Sequence, residues 1–253
     1  MSVLNDLAKV NKIANWRELR IRIAYCPVCG CRRVAVKFDA NEMAIRCLSC
    51  RASAVTMSIV SVLRRVAPDI GSLDVYELSS RGPLFRYLNS HSKSLAASEY
   101  FADVASGEFR NGMQCQDVQR LSYPGASFDI CTFTEVFEHV PDDLKGFSEI
   151  FRVLKPGGFF VFSVPLQGEY ATVERAVISA GGQVQHLLPP EYHGDPLCES
   201  RPILAFRNYG RDITDRLRSA GFAKAEIVMP GDAIPWGFSR PVVVAYHSVA
   251  PIG

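Results

Sequence analysis

The chain has 253 residues, 48% of them hydrophobic, 21% charged and 10% aromatic, with a net charge of +2. That composition excludes a disordered, collagen-like or low-complexity chain, and the length suffices to bury about 70–75% of the unfolded surface without covalent staples. The charge is unevenly divided: residues 1–65 hold 12 Lys+Arg against 4 Asp+Glu, whereas residues 66–253 hold 16 against 22. A basic front end on an acidic body predicts two units with different tasks. No run of about 18 uncharged apolar residues occurs, so no membrane span is expected. The N-terminus lacks the apolar core and cleavage site of a secretory signal, which leads to an expected cytoplasmic location.

In chain order, Val3, Leu7, Val10 and Ala14 recur at helical spacing and predict an N-terminal helix over residues 1–21, with Lys9, Lys12, Arg17 and Arg20 on or near it. Residues 22–52 follow as a small module. Five of the eight cysteines lie here, and Cys26, Cys29, Cys47 and Cys50 form C-x2-C-x17-C-x2-C. That spacing suits a tetrahedral zinc ion, because each C-x2-C turn brings two thiolates to one centre. Gly30 relaxes the backbone beside the first pair, and Cys31 is expected just outside the ligand set. Val34–Phe38 and Met43–Arg46 read as two short strands of a zinc ribbon. A closed four-thiolate site is structural and not catalytic. The alternative, two disulfides, requires a secreted protein.

Residues 53–70 predict a connecting helix centred on Ala54–Val66, closed by Pro68. Residues 71–253 then alternate. Strands are expected at Leu73–Leu78, Ser94–Ser98, Met113–Asp117, Phe128–Phe133, Phe159–Val164, Ala225–Met229 and Val242–His247. Helices are expected from Leu84, over Asp142–Leu154 with Pro156-Gly157-Gly158 ending it, and near Asp212–Ala220. The alternation predicts an α/β fold with a seven-stranded, mostly parallel, Rossmann-like sheet. No helix separates the last two strands, which predicts an antiparallel pair joined by a long Pro/Gly-rich loop.

Ligands of such sheets lie beyond the carboxyl ends of the strands. Four acids stand at four successive ends: Glu77, Glu99, Asp117 and Glu135. Together they suit hydroxyl groups and an ammonium. The 22 residues from Glu77 to Glu99 match the interval at which a second-strand acid reaches a ribose.

Residues 74–165 resemble a class I S-adenosylmethionine (SAM)-dependent methyltransferase of the group that includes ubiquinone/menaquinone-biosynthesis enzymes. The most specific stretch is Phe128–Pro165, with its Glu138-His139-Val140-Pro141-Asp142 and Arg152-Val153-Leu154-Lys155-Pro156-Gly157-Gly158 runs. The resemblance implies SAM as cofactor and a seven-stranded sheet with its last strand antiparallel. It places Glu77, Ser79 and Gly82 in the first cofactor loop, with Ser79 where the group has a glycine. It also implies Glu99 and Tyr100 on the ribose, Asp117 and Val118 on the adenine, and Thr134 and Glu135 at the methionine end.

On the acceptor side, His139 and His193 are the candidate catalytic residues, each able to take a proton near neutral pH or to orient the acceptor. Asp195 is a further candidate base, and Arg201, Arg207 and Arg211 are candidate clamps for an anionic acceptor. Three functions compete: methylation of a small-molecule or glycan acceptor, most simply on oxygen; methylation of RNA docked by the basic ribbon; and a non-catalytic SAM-fold protein that binds a partner through the ribbon. The acceptor and the oligomeric state are not encoded in any motif.

Overall fold

The computed structural model describes residues 17–40, 44–194, 202–231 and 234–248, so most of the expected N-terminal helix, Asp195 and Arg201 lie outside the described residues. The chain forms two compact units. One comprises Met1–Pro68, Arg81–Tyr87 and Met229–Arg240; the other comprises Asp69–Ser80, Leu88–Val228 and Pro241–Gly253.

The first unit is built on an antiparallel sheet of β1 (Arg20–Cys26), β2 (Cys31–Lys37) and β3 (Ile45–Cys47). The sequence reading missed β1, whose first half, Arg20 to Ile23, is exposed and whose inward residues are only Ala24 and Cys26. Helix α1 (Ala54–Val66) follows, with Ser53 as N-cap accepting from the Thr56 amide. Its buried face carries Met57, Ile59, Val60 and Leu63. A small core gathers Cys26, Ile45, Cys47, Ala52, Ala54 and Met57 together with Ile234, from the loop that precedes the last strand.

The second unit is an α/β sheet. Its elements begin with β4 (Asp74–Glu77), α2 (Gly82–His91, whose first residues cluster with the other unit), β5 (Ser94–Ala97), β6 (Phe109–Arg110), β7 (Met113–Gln114) and β8 (Phe128–Thr134). Helix α3 (Asp143–Val153) and β9 (Leu154–Ser163) come next. Six short strands follow: β10 (Val173–Glu174), β11 (Ala176–Ile178), β12 (Val184–His186), β13 (Tyr192–His193), β14 (Ile203–Leu204) and β15 (Arg207–Asn208). The chain closes with α4 (Ile213–Ser219), β16 (Lys224–Val228) and β17 (Val242–Tyr246). The main sheet runs β5-β4-β8-β9-β17-β16. The pairs among β5, β4, β8 and β9 are parallel, and β17 runs against both neighbours, as expected for a strand reached without a crossover helix.

Two expectations are corrected. Among the described residues the sheet has six hydrogen-bonded strands where seven were expected. The Met113–Asp117 segment meets it through one parallel bridge, Glu99 to Cys115, while Met113–Gln114 folds back on Phe109–Arg110. The turn between them is Asn111-Gly112, with φ of 51° and 78°, the conformation that a tight two-residue hairpin demands. Pro156-Gly157-Gly158 does not merely end a helix; it lies inside β9 as an irregularity, between the Phe128–Leu154 and Ile130–Phe159 pairings. A Cβ on Gly158 would stand 2.8 Å from the Asp129 carbonyl oxygen.

The core fills both faces of this sheet. Tyr76, Phe133, Phe137, Phe147, Phe160 and Phe162 are fully buried, with stacked pairs at Phe137–Phe147 and Phe160–Phe162. This rigid layer fixes the carboxyl ends of β4 and β8, where the candidate residues sit.

Candidate active site and four-cysteine cluster

The cysteine cluster is built by two turns of the same form. After Cys26 the chain turns through Pro27-Val28-Cys29, and the Gly30 amide returns to the Cys26 carbonyl at 2.9 Å. After Cys47 it turns through Leu48-Ser49-Cys50, and the Arg51 amide returns to the Cys47 carbonyl at 2.8 Å. Gly30 and Arg51 close these turns at φ of 69° and 64°, a cost that the arginine bears as well as the glycine. The four Sγ atoms lie within 4.8 Å of one another, with Cys26–Cys50 at 3.7 Å and Cys29–Cys47 at 3.9 Å. A tetrahedron of thiolates at the usual zinc–sulfur distance has edges of about 3.8 Å. No disulfide joins the described cysteines, and the four fit a metal ion. Burial and the neighbouring sulfurs push the Cys29 thiol up to about 12 and raise Cys50 further, so a cation is what lets all four ionise together. Cys31 points its sulfur at the Cys29 carbonyl, outside the four.

In the sheet unit, Glu77 ends β4 and is 2% exposed. Its carboxylate accepts from the Thr132 hydroxyl on the adjoining strand. Burial pushes its pKa up to about 8, with the Thr132 bond opposing and the Glu99 charge adding to the rise. Glu99 lies beyond β5 and is also buried. One of its oxygens accepts from the Ser80 amide at 2.9 Å and the Ser80 hydroxyl at 2.7 Å, so the acid holds the loop after β4. The next residue, Tyr100, is exposed. A cavity of about 370 Å³ is lined by Tyr100, Phe101, Ser106, Asp117 and Arg120 among others, beside the Glu99 bridge to Cys115. Asp117 orders its own turn, accepting from the Gln119 amide at 2.9 Å and side chain at 3.1 Å. Val118, expected near adenine, is buried in the main core. Gly82 opens α2 at φ 90°.

Thr134 ends β8 in register with Ser163. Glu135 follows at φ 53° and accepts from the Ser163 hydroxyl at 2.8 Å. This kinked exit leads into a 3-10 turn, Phe137–His139, that carries Glu138 and His139. His193 arrives from the segment between β9 and α4. The β13–β14 ladder pairs His193 with Ile203 and Tyr192 with Leu204, and the Leu204 carbonyl bonds His139 Nδ1 at 2.9 Å. One short ladder thus positions both histidines, whose rings meet edge to face at 4.9 Å. Glu138, 2% exposed, lies between them: its Oε1 is 3.7 Å from His139 Nε2 and 3.8 Å from His193 Nδ1. The sequence reading named both histidines but did not single out Glu138, although it stands next to His139 in the quoted run. Arg207 is no acceptor clamp. It is buried, donating to the Val140 and Pro141 carbonyls and pairing with Glu174.

Residues 79–162 match the family described as methyltransferase domain. A demethylmenaquinone methyltransferase of Deinococcus radiodurans is 34% identical over 120 residues, covering 45% of this chain and 46% of that protein. A ubiquinone biosynthesis O-methyltransferase of Coxiella burnetii is 37% identical over 71 residues, covering 26% of this chain and 30% of that one. The chain thus spans less than half the length of either relative. Among solved structures, an S-adenosylmethionine-dependent methyltransferase from Mesorhizobium loti aligns with 73% of this chain and 95% of its own, at 21% identity and a TM-score of 0.46. Residues 79–162 of this chain are thus similar to a methyltransferase domain.

Proposed function

We propose that the protein transfers the methyl group of SAM to a small-molecule acceptor, with an oxygen as the methylated atom. The observation that carries this reading is the arrangement in and beside the matched segment, residues 79–162. Buried Glu77 and Glu99, Asp117 at the cavity, and the kinked Thr134-Glu135 exit stand at successive strand ends. The Glu138–His139–His193 group stands one short turn further on. SAM, when bound, supplies a methyl group already activated on a sulfonium. The protein has to hold acceptor and donor in line and manage one proton.

In this reading Glu99 holds the first loop through Ser80 and faces the ribose, Tyr100 covers the sugar, and Asp117 is turned to the adenine amino group. Glu77, Ser79, Thr134 and Glu135 surround the methionine end. His139 and His193 face the acceptor, orient its nucleophilic atom and accept its proton. Zinc on Cys26, Cys29, Cys47 and Cys50 holds the ribbon together and takes no part in the transfer.

The test is SAM binding by titration calorimetry. Glu99→Ala removes charge-assisted hydrogen bonds worth about 1.5–3 kcal/mol each. Its affinity is expected to fall at least tenfold, by the ratio of about 1.4 kcal/mol per decade. Unchanged affinity rejects the strand-end assignment.

A further inference from the structure

We infer that Glu138, His139 and His193 form a second metal site, for a divalent first-row cation, on the acceptor side of the sheet unit. The three side chains offer two imidazole nitrogens and a carboxylate oxygen within 4.8 Å of one another. The outer hydrogen bonds fix which nitrogens those are. His139 Nδ1 lies 2.9 Å from the Leu204 carbonyl, which can only accept, so Nδ1 carries the proton. In the neutral ring the Nε2 lone pair then points at Glu138. His193 Nε2 lies 3.2 Å from a Glu191 carboxylate oxygen and donates to it, which leaves the Nδ1 lone pair toward the same Glu138 oxygen. Each imidazole therefore has one N–H tied to a carbonyl or a carboxylate and its other nitrogen turned inward. Metal-bound histidines show this pattern, because the outer bond fixes the ring and raises its basicity.

The dimensions agree. The inward nitrogens stand 3.7 and 3.8 Å from the Glu138 oxygen. Tetrahedral ligands on zinc at nitrogen and oxygen distances are separated by about 3.4 Å, so the two nitrogen–oxygen edges close by a few tenths of an ångström and the nitrogen–nitrogen edge starts within 4.8 Å. Glu138 is 2% exposed, so its carboxylate is held beside the two imidazoles and not in solvent. Two histidines and one carboxylate leave open positions on the ion, as catalytic and not structural sites do. The four-cysteine cluster, by contrast, is closed.

The site deepens the methyl-transfer reading. A hydroxyl oxygen of the acceptor that binds an open position loses its proton to solvent more readily, because the cation stabilises the oxygen anion. With their inward nitrogens on the ion, the two histidines act on the acceptor through it, and solvent takes the acceptor's proton in place of an imidazole.

Zinc binding tests the site without SAM or acceptor. The full-chain wild type, His193→Ala and Glu138→Gln proteins are dialysed against the same zinc buffer, and zinc per chain is counted by elemental analysis. His193→Ala removes a side chain that is 32% exposed and so keeps the fold. The expected result is one zinc fewer in His193→Ala than in wild type, with Glu138→Gln matching it. Because the readout is a difference, the occupancy of the cysteine cluster cancels. Equal counts in wild type and His193→Ala overturn the proposal and leave the three residues as an ion-paired group. A loss confined to the metal count, with SAM affinity intact, supports the site independently of the cofactor assignment.

Discussion

Glu77 makes a pH-dependent statement about both stability and cofactor binding. Its carboxyl is neutral in the folded protein up to about pH 8 but ionises near pH 4–5 in an unfolded chain. Below the unfolded pKa both states hold the proton and there is no penalty. As pH rises toward 8 the unfolded state alone sheds it, so the folded state loses relative stability across that window. Glu77→Gln removes the titration. Thermal denaturation should show the variant gaining on wild type from pH 5 to 8 and the gap levelling above. A gap independent of pH would show that Glu77 is ionised in the fold. Under the proposed function, the SAM ammonium beside Glu77 would draw its pKa down. Binding at pH 7 should then release a proton, visible as a heat that varies with the ionisation enthalpy of the buffer, and Glu77→Gln should abolish that variation. The acids at the strand ends were legible in the sequence because each closes a segment that reads as a strand. Glu138 was not, because its burial between two histidines depends on the pairing of His193 with Ile203, which no local pattern announces.

At the scale of elements, β8 and the Phe159–Ser163 half of β9 were legible from their mostly apolar character, and α1 from its Ser53 cap and spacing. The expected third strand was not. Its place in the alternating pattern suggested that Met113–Asp117 pairs along the sheet, but Asn111-Gly112 is itself a hairpin signal, and the local turn prevails over a long-range ladder. The Pro156-Gly157-Gly158 segment carries a sharper prediction. A methyl group on Gly158 meets the Asp129 oxygen at 2.8 Å and the Lys155 oxygen at 2.9 Å, both of them backbone atoms that cannot swing aside. Gly158→Ala should cost about 1–3 kcal/mol, as overpacking does, and lower the melting temperature. Gly157→Ala meets no atom but sits at φ 84°, so its smaller loss of about 1 kcal/mol comes from backbone strain alone. Equal melting temperatures for wild type and Gly158→Ala would show that β9 relaxes at this point.

At the scale of the molecule, the ribbon depends on residues far from it in sequence. Trp236 and Phe238 pack on the cysteine-lined core, and Arg22 lies over the Trp236 ring at 5.4 Å. Trp236 adopts φ 62°, a left-handed conformation that its neighbours must enforce. Under the proposed zinc assignment, a strong chelator should therefore release the ion and change the tryptophan emission in the same phase in a Trp16→Phe protein, whose remaining tryptophan is Trp236. Metal release without a change in that emission would mean that the core holds without its ion. The sequence showed the ribbon through its cysteine spacing alone, and the part supplied by Ile234, Trp236 and Phe238 lay hidden in a loop that reads as a connection between strands.

That loop bears on the protein's birth. Ile234 completes a core whose other members end at Met57, so the ribosome must add about 180 further residues before the last piece exists. At ordinary translation speeds this is a wait of roughly 10–40 s. During it the nascent ribbon has all four thiols but an open flank. An ion captured early would guard those sulfurs from oxidation and aggregation until the closing segment emerges, and cells short of zinc should lose the protein during synthesis rather than after it.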